Sequence, residues 1–290
     1  MGIVLKKGII PLLFMADIAE SNVMNNIPLR NEEEIQKLRV ACKLASDVLV
    51  MIAPYVKEGV TTGELDKICH EYILANGATS ASLGYHGFPK SVCISLNEVV
   101  CHGIPSDDKK LKKGDILNID VTVIKDGYYG DNSMMYVVGE PSVRDKRLMA
   151  VTLESLYVGI RTVKAGVRLK EIGTAIQKYV EKEGFSVVRE YCGHGIGTEF
   201  HCDPQVVHYA TDDGGVVLKE GMVFTIEPMV NAGKKEVRLM GDGWTVKTKD
   251  RSHSAQYEHQ IVVTKDGCEV LTIRDEEIAE GRISRIMHNS

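Results

Sequence analysis

Lys112-Lys113-Gly114-Asp115-Ile116-Leu117-Asn118-Ile119-Asp120-Val121-Thr122-Val123 returns 107 residues later as Lys219-Glu220-Gly221-Met222-Val223-Phe224-Thr225-Ile226-Glu227-Pro228-Met229-Val230. Lys, Gly, Ile, an acid and Val recur at matching places. Both copies read as apolar strands carrying one carboxylate, Asp120 in the first and Glu227 in the second. A carboxylate is costly to bury unless something positive meets it. Two related acids in two related strands therefore point to one cation, or a pair, held between two halves of the chain.

The same offset holds upstream. Val56-Lys57-Glu58-Gly59-Val60 matches Val163-Lys164-Ala165-Gly166-Val167, and Glu64, Tyr72 and Gly77 match Glu171, Tyr179 and Gly184. Two helices of similar amphipathic pattern could share one such block; a constant offset over both blocks favours a duplicated half. The period is far longer than the roughly 20–50 residues of a solenoid unit.

The composition is that of an ordinary globular enzyme, 44% hydrophobic and 26% charged over 290 residues. Lys and Arg number 35 against 40 Asp and Glu, a net charge of −5, so no basic field is available to attract nucleic acid. Seven cysteines without a CxxC pair argue against a disulfide framework or a structural zinc module and suit a reducing cytoplasm. Lys6-Lys7 followed by apolar residues 8–16 resembles a secretory signal, but Pro11 interrupts the run and no small-x-small cleavage site follows. Residues 1–30 are instead expected to be a flexible extension, or to reflect a start placed ahead of Met15 or Met24. No stretch approaches the roughly 20 apolar residues of a membrane span.

Asn31 followed by Glu32-Glu33-Glu34 predicts a capped helix start, with Ile35, Leu38, Cys42, Ala45 and Leu49 on its apolar face and Pro54 ending it. A second helix is predicted over 62–76, closed by Gly77. The later half repeats the pair over 143–164 and 169–183, closed by Gly184. Strands are expected at 116–123, 134–138, 223–230, 237–240, 244–247 and 256–264. Paired helices with antiparallel strands make this an α+β chain. The expected organisation is one catalytic domain over 31–275, with pseudo-repeats about 40–140 and 147–265 and a tail over 276–290.

Asp126-Gly127 is a two-residue hairpin signal. It pairs Lys125 with Tyr128 and sets Asp131 opposite Thr122, unless a bulge shifts the register. Thr122 shares a face with Asp120, so Asp120 and Asp131 become diagonal neighbours able to converge on a cation. His194 lies in Gly193-His194-Gly195-Ile196-Gly197, where glycines let backbone approach closely. Glu258 opens the apolar run Ile261-Val262-Val263. Asp120, Asp131, His194, Glu227 and Glu258 together form a five-donor set of four carboxylates and one imidazole. That set suits divalent Mn, Fe, Co or Zn.

At these residues the chain resembles the type I methionine aminopeptidases of the pita-bread fold, over essentially 31–271. The motifs carrying the resemblance are Asn97-Glu98-Val99-Val100-Cys101-His102-Gly103-Ile104-Pro105, the Asp120/Asp131 hairpin, Gly193-His194-Gly195-Ile196-Gly197, Thr225-Ile226-Glu227-Pro228-Met229 and Ser254-Ala255-Gln256-Tyr257-Glu258-His259. It implies two divalent ions, with Asp131 and Glu258 bridging both, Asp120 serving one, and His194 and Glu227 the other. Glu227 is implied as the base for the attacking water, His201 as the group steadying the substrate carbonyl, and His102 as a contact near the scissile amide. Tyr85, Phe88, Cys93, Phe200 and Trp244 are implied to line a methionine slot, where a thioether finds apolar and aromatic surroundings. Asn97, Val99 and Ser254 are implied to hold a monovalent cation. The extension lacks the cysteines of zinc-bearing extended forms.

The function implied is removal of the initiator methionine from nascent polypeptides whose second residue is small, by a cytoplasmic monomer. Contact of the extension with the ribosome is left open. Three rivals remain: an X-Pro peptidase of the same fold, though these usually carry a large extra N-terminal domain; a binding protein that has lost catalysis; and a thiol hydrolase using Cys101 beside His102. The last is disfavoured because neighbours on a strand face opposite ways.

Overall fold

The computed structural model describes residues 27–212 and 214–289. Residues 1–26 of the expected extension lie outside them. Of the remainder, Ile27 packs against the larger apolar core. The Arg30 backbone N–H donates to the Gly221 carbonyl at 2.8 Å.

Helix α1 (Glu32–Ile52) starts where its capping residues dictate. The Asn31 side chain accepts from the Glu34 N–H and the Glu34 carboxylate accepts from the Asn31 N–H, both at 3.0 Å. Leu38, Cys42, Ala45 and Leu49 are buried along one face, and Pro54 sits in the tight turn that follows. Thr61 and Glu64 cap α2 (Thr62–Ala75) in the same way, and Gly77 ends it at φ +65°. Helix α3 (Val143–Ile160) stops short of the expected residue 164. Past it, Ala165, Gly166 and Leu169 give their N–H groups to Thr264, Leu218 and Val216, so backbone partners from elsewhere in the fold replace the helical ladder. Helix α4 (Lys170–Lys182) completes the second pair.

The first hairpin has the expected register. Ile116–Lys125 pairs with Tyr128–Val137 without a bulge, Lys125 opposite Tyr128 and Thr122 opposite Asp131. Asp126 and Gly127 both adopt positive φ, 50° and 81°, the tight turn whose twist matches its strands. Cys93–Leu96 flanks the outgoing strand on its other side. In the later half, Gly193–Gly195, Val223–Ile226 and His259–Thr264 lie side by side in a six-stranded sheet.

Two expected strands are interrupted. The 223–230 run splits into Val223–Ile226 and Met229–Asn231, and the 256–264 run into Ser254–Gln256 and His259–Thr264. The pairing register continues across the gap, with Ile226 opposite His259 and Met229 opposite Gln256, so Glu227 and Glu258 occupy facing positions at the break. Pro228 has no N–H to give to a ladder. The Glu258 N–H instead crosses to the other half, donating to the Ser133 carbonyl at 3.1 Å. Each half has its own core: α1 and α2 cover Ile94, Leu117, Ile119 and Val121, while α3 and α4 cover Phe224, Ile226, Val230 and Ile261. The site lies where the two meet.

Residues expected as a tail form α5 (Asp275–Glu280) and the strand Ile286–His288, which pairs with Gly267–Val270. Glu277 is buried, accepting from the Tyr157 hydroxyl at 2.7 Å, with His259 Nε2 at 3.0 Å and Arg274 at 2.9 Å. Glu277 and Arg274 are thus packed inward, each with an opposite charge as partner, while Asp275, Glu276 and Glu280 stay exposed. Among the described residues no helix is long and apolar enough to cross a membrane.

Candidate metal centre

Each of the five expected donors sits where the local fold fixes it. Asp120 lies mid-strand between Cys93 and Ser133. Asp131 is held by the Thr122 hydroxyl, which donates to its Oδ1 at 2.8 Å, and its N–H donates to Gln260 Oε1 at 3.0 Å. His194 stands between two glycines that only a missing side chain allows: a Cβ on Gly193 would press into the Thr225 carbonyl and one on Gly195 into the Asp203 carbonyl. Its Nδ1 lies 3.1 Å from the Gly195 carbonyl, a donor geometry that turns Nε2 toward the acids, 3.6 Å from Asp131 Oδ2 and 3.5 Å from Glu227 Oε1. The Thr225 hydroxyl donates to Glu227 Oε1 at 2.8 Å and Gln256 Nε2 to Oε2 at 3.1 Å. Asp131, His194 and Glu258 present donor atoms all within 4.8 Å of one another.

The electrostatics of this cluster are those of a cation site. Burial raises Asp120 to about 7. Burial, then Asp120, pushes Asp131 well above the usual carboxylate range. Burial and the Asp131 charge do the same to Glu227 and Glu258. Burial lowers His194 to about 4, against the Gly195 carbonyl, so its imidazole is neutral and able to act as a ligand. Among the described ion pairs, these acids meet only His194. Four crowded oxygen donors and one neutral nitrogen fit a hard or borderline divalent cation, whose charge would relieve their repulsion.

All twelve residues expected at the site line one cavity with about 650 Å³ of empty space, its mouth included. Phe88 meets Trp244 edge-on at 5.1 Å between ring centres, and Tyr85 lies 4.8 Å from Phe200. His201 Nδ1 is 2.8 Å from the Tyr85 hydroxyl, and its ring centre is 4.2 Å from that of His194. Burial holds His201 far below the ordinary histidine value, and lowers His102 to about 4, so both are neutral. His102 packs edge-on against Tyr191 at 5.5 Å.

Cys101 lines the same cavity, against the expectation that it and His102 face apart. The strand Val99–Cys101 ends there and His102 takes φ +54°, so alternation no longer applies. Burial, then Glu227 and Asp120, raise the Cys101 thiol well above its usual value, which denies it the thiolate a nucleophile needs. Ser82, Thr122, Tyr191, Cys192, Met229 and Gln256 also face the cavity. Most adjoin a motif that was singled out, which is their sequence signal; Ser82 has none. At the expected monovalent position, the Asn97 carbonyl accepts from the Ser254 N–H at 2.8 Å, while Val99 pairs with Lys247.

Residues 36–265 match the profile of metallopeptidase family M24. The chain belongs to this family. It is 76% identical over 265 residues to a methionine aminopeptidase of Haemophilus influenzae, an alignment covering 91% of this chain and 99% of that one. Its fold superposes on a methionine aminopeptidase crystal structure from Rickettsia prowazekii with a TM-score of 0.84, at 52% identity, over 86% of this chain and all of the other. An Xaa-Pro dipeptidase from Bacillus anthracis gives a TM-score of 0.68 at 25% identity over 85% of this chain, which spans only 62% of that protein. Membership of a metallopeptidase family implies a divalent metal, and Asp131, His194 and Glu258 are its candidate site.

Proposed function

We propose that the chain removes the N-terminal methionine from nascent polypeptides and peptides whose second residue is small, in the cytoplasm and as a monomer. The observation that carries this reading is the placement of four acids, Asp131 and Glu258 buried and Asp120 and Glu227 partly open to the cavity, with a neutral His194 at one side of a cavity whose other side is the aromatic slot of Tyr85, Phe88, Phe200 and Trp244 with Cys93. The slot suits a thioether, and the donor set puts hydrolytic chemistry beside it. Close similarity to methionine aminopeptidases along nearly the whole chain supports the same activity.

Asp120, Asp131, His194, Glu227 and Glu258 would hold two divalent cations. When bound, the cations supply Lewis acidity, lowering the pKa of water toward neutrality and polarising a carbonyl. Glu227, its two oxygens oriented by Thr225 and Gln256, takes up the proton that the attacking water releases and passes it toward the leaving amine. His201 is neutral; in the tautomer whose Nδ1 accepts from the Tyr85 hydroxyl, its Nε2–H would donate to the substrate carbonyl as charge develops. His102 contacts the substrate near the scissile amide. A monovalent cation near Asn97, Val99 and Ser254 and a transient ribosome contact belong to the same reading.

The test is release of methionine from Met-Ala-Ser, Met-Lys-Ser and Ala-Pro peptides by metal-loaded protein. Turnover of the first alone, abolished by chelator, is the expected result; preference for Ala-Pro would favour the prolidase-type rival, and no turnover with any divalent ion would favour a binding protein.

A further inference from the structure

At the break between Ile226 and Met229 the Glu227 backbone N–H has no strand to donate to. It donates instead to His208 Nε2 at 3.1 Å. His208 lies just past the strand Cys202–Val206 and is fully buried. Its backbone is fixed by the close approach of α4, since a Cβ on Gly173 would collide with the carbonyls of Val207 and Tyr209. An imidazole nitrogen that accepts a backbone N–H carries no proton, so the proton sits on Nδ1. No protein acceptor among the described residues meets that Nδ1. A buried polar group left this way is unfavourable and calls for a reason at its other end. That end is the peptide of the residue whose carboxylate faces His194.

We propose that His208 is a positioning residue for Glu227: its Nε2 replaces the missing ladder partner and fixes the backbone from which the Glu227 carboxylate reaches the cavity. Thr225 and Gln256 orient the two carboxylate oxygens at the end of a rotatable side chain, and Gln256 reaches the Glu227 carbonyl only at 3.4 Å, longer than the 3.1 Å from the Glu227 N–H to His208. His208 acts on its root. The arrangement also gives the second half of the chain something the first lacks: Asp120 sits in an unbroken strand and needs no such tether.

The inference rests on the reading of Glu227 as both cation ligand and proton acceptor, so the experiment includes Glu227→Gln as a control for that reading. His208→Leu removes the acceptor, His208→Gln retains one at the reach of Nε2, and His208→Asn is too short. For each variant, kcat and KM on Met-Ala-Ser, divalent-cation affinity of the stripped protein by calorimetry, and Tm are measured. Loss of a partner that orients a ligand typically costs about 10- to 100-fold in metal affinity or activity. The expected result is a drop of about that size in kcat and in cation affinity for His208→Leu, with KM little changed, and recovery of most of both in His208→Gln. A fall in Tm with kcat and cation affinity unchanged assigns His208 to packing alone and overturns the proposal. Should His208→Leu fail to fold, equal activity in His208→Gln and His208→Asn overturns it, and clear superiority of Gln supports it. If Glu227→Gln itself turns over like the wild type, the reading of Glu227 fails, whatever the His208 variants do.

Discussion

The two halves deliver their acids in different ways. In the first half, Asp120 and Asp131 stand on an unbroken hairpin of ten-residue strands whose ladder fixes them. In the second, Glu227 and Glu258 stand at a break where the ladder is absent and side chains, His208 and Gln256, take up backbone groups. A continuous strand suits a group that only has to stay in place. A break lets a carboxylate stand off the sheet and be held by partners tuned to it, which suits a group that must also exchange a proton. On the proposed roles, the break is what separates the proton-handling Glu227 from the fixed ligand Asp120.

Several substitutions can break or sharpen this contrast. The largest effect should come from Glu227→Ala, with turnover of Met-Ala-Ser falling by about 10²- to 10⁴-fold while circular dichroism and Tm report an intact fold; near-native activity would remove Glu227 from the chemistry. Next, chelation should abolish turnover, and adding a divalent ion should raise the Tm of the stripped protein, because the cation relieves the mutual repulsion of four crowded acids. A Tm indifferent to cation would sink the assignment of the cluster.

Smaller effects follow from individual contacts. Burial pushes Glu277 up, but His259, Arg274 and Tyr157 outweigh it and bring it to about 2, below its ordinary 4.5. A depressed folded-state pKa contributes stability above the unfolded value that is lost as pH falls through the folded one. The protein should therefore lose on the order of a few kcal/mol from this group between pH 4.5 and 2. Urea titrations of the wild type and Glu277→Gln would check this: their difference in stability should shrink over that window, and a constant difference would contradict it. The smallest effects compare the two threonines. Thr122→Val frees Asp131 and Thr225→Val frees Glu227, each losing a hydrogen bond of about 1 kcal/mol. Only the second should alter the pH profile of kcat.

Where local chemistry decided the structure, the sequence was readable. Asn31 with Glu34 set the start of α1, and Asp126-Gly127 set the hairpin register that puts Asp131 opposite Thr122. What escaped depended on contacts from distant segments. The Glu258 N–H crosses to Ser133 at the break, and past the end of α3 the Ala165 and Gly166 N–H groups go to Thr264 and Leu218. Residues 276–290 read as a tail because the buried partners of Glu277, Tyr157 and His259, lie 120 and 18 residues away in the chain. His208 carried no motif at all; only the fold brings it to Glu227. Cys101 and His102 were taken as opposed neighbours, since a single positive φ at His102 cannot be read from residue type.

The contrast between the halves is tested most directly by titrating a divalent cation into Asp120→Asn and Glu227→Gln while measuring bound metal and turnover on the same samples. Asp120→Asn should need more cation and then recover a substantial part of wild-type kcat as its site fills. Glu227→Gln should stay inactive even when metal analysis shows the site filled. Equal recovery of the two variants on filling would contradict the division of labour between a fixed ligand and a proton-handling one.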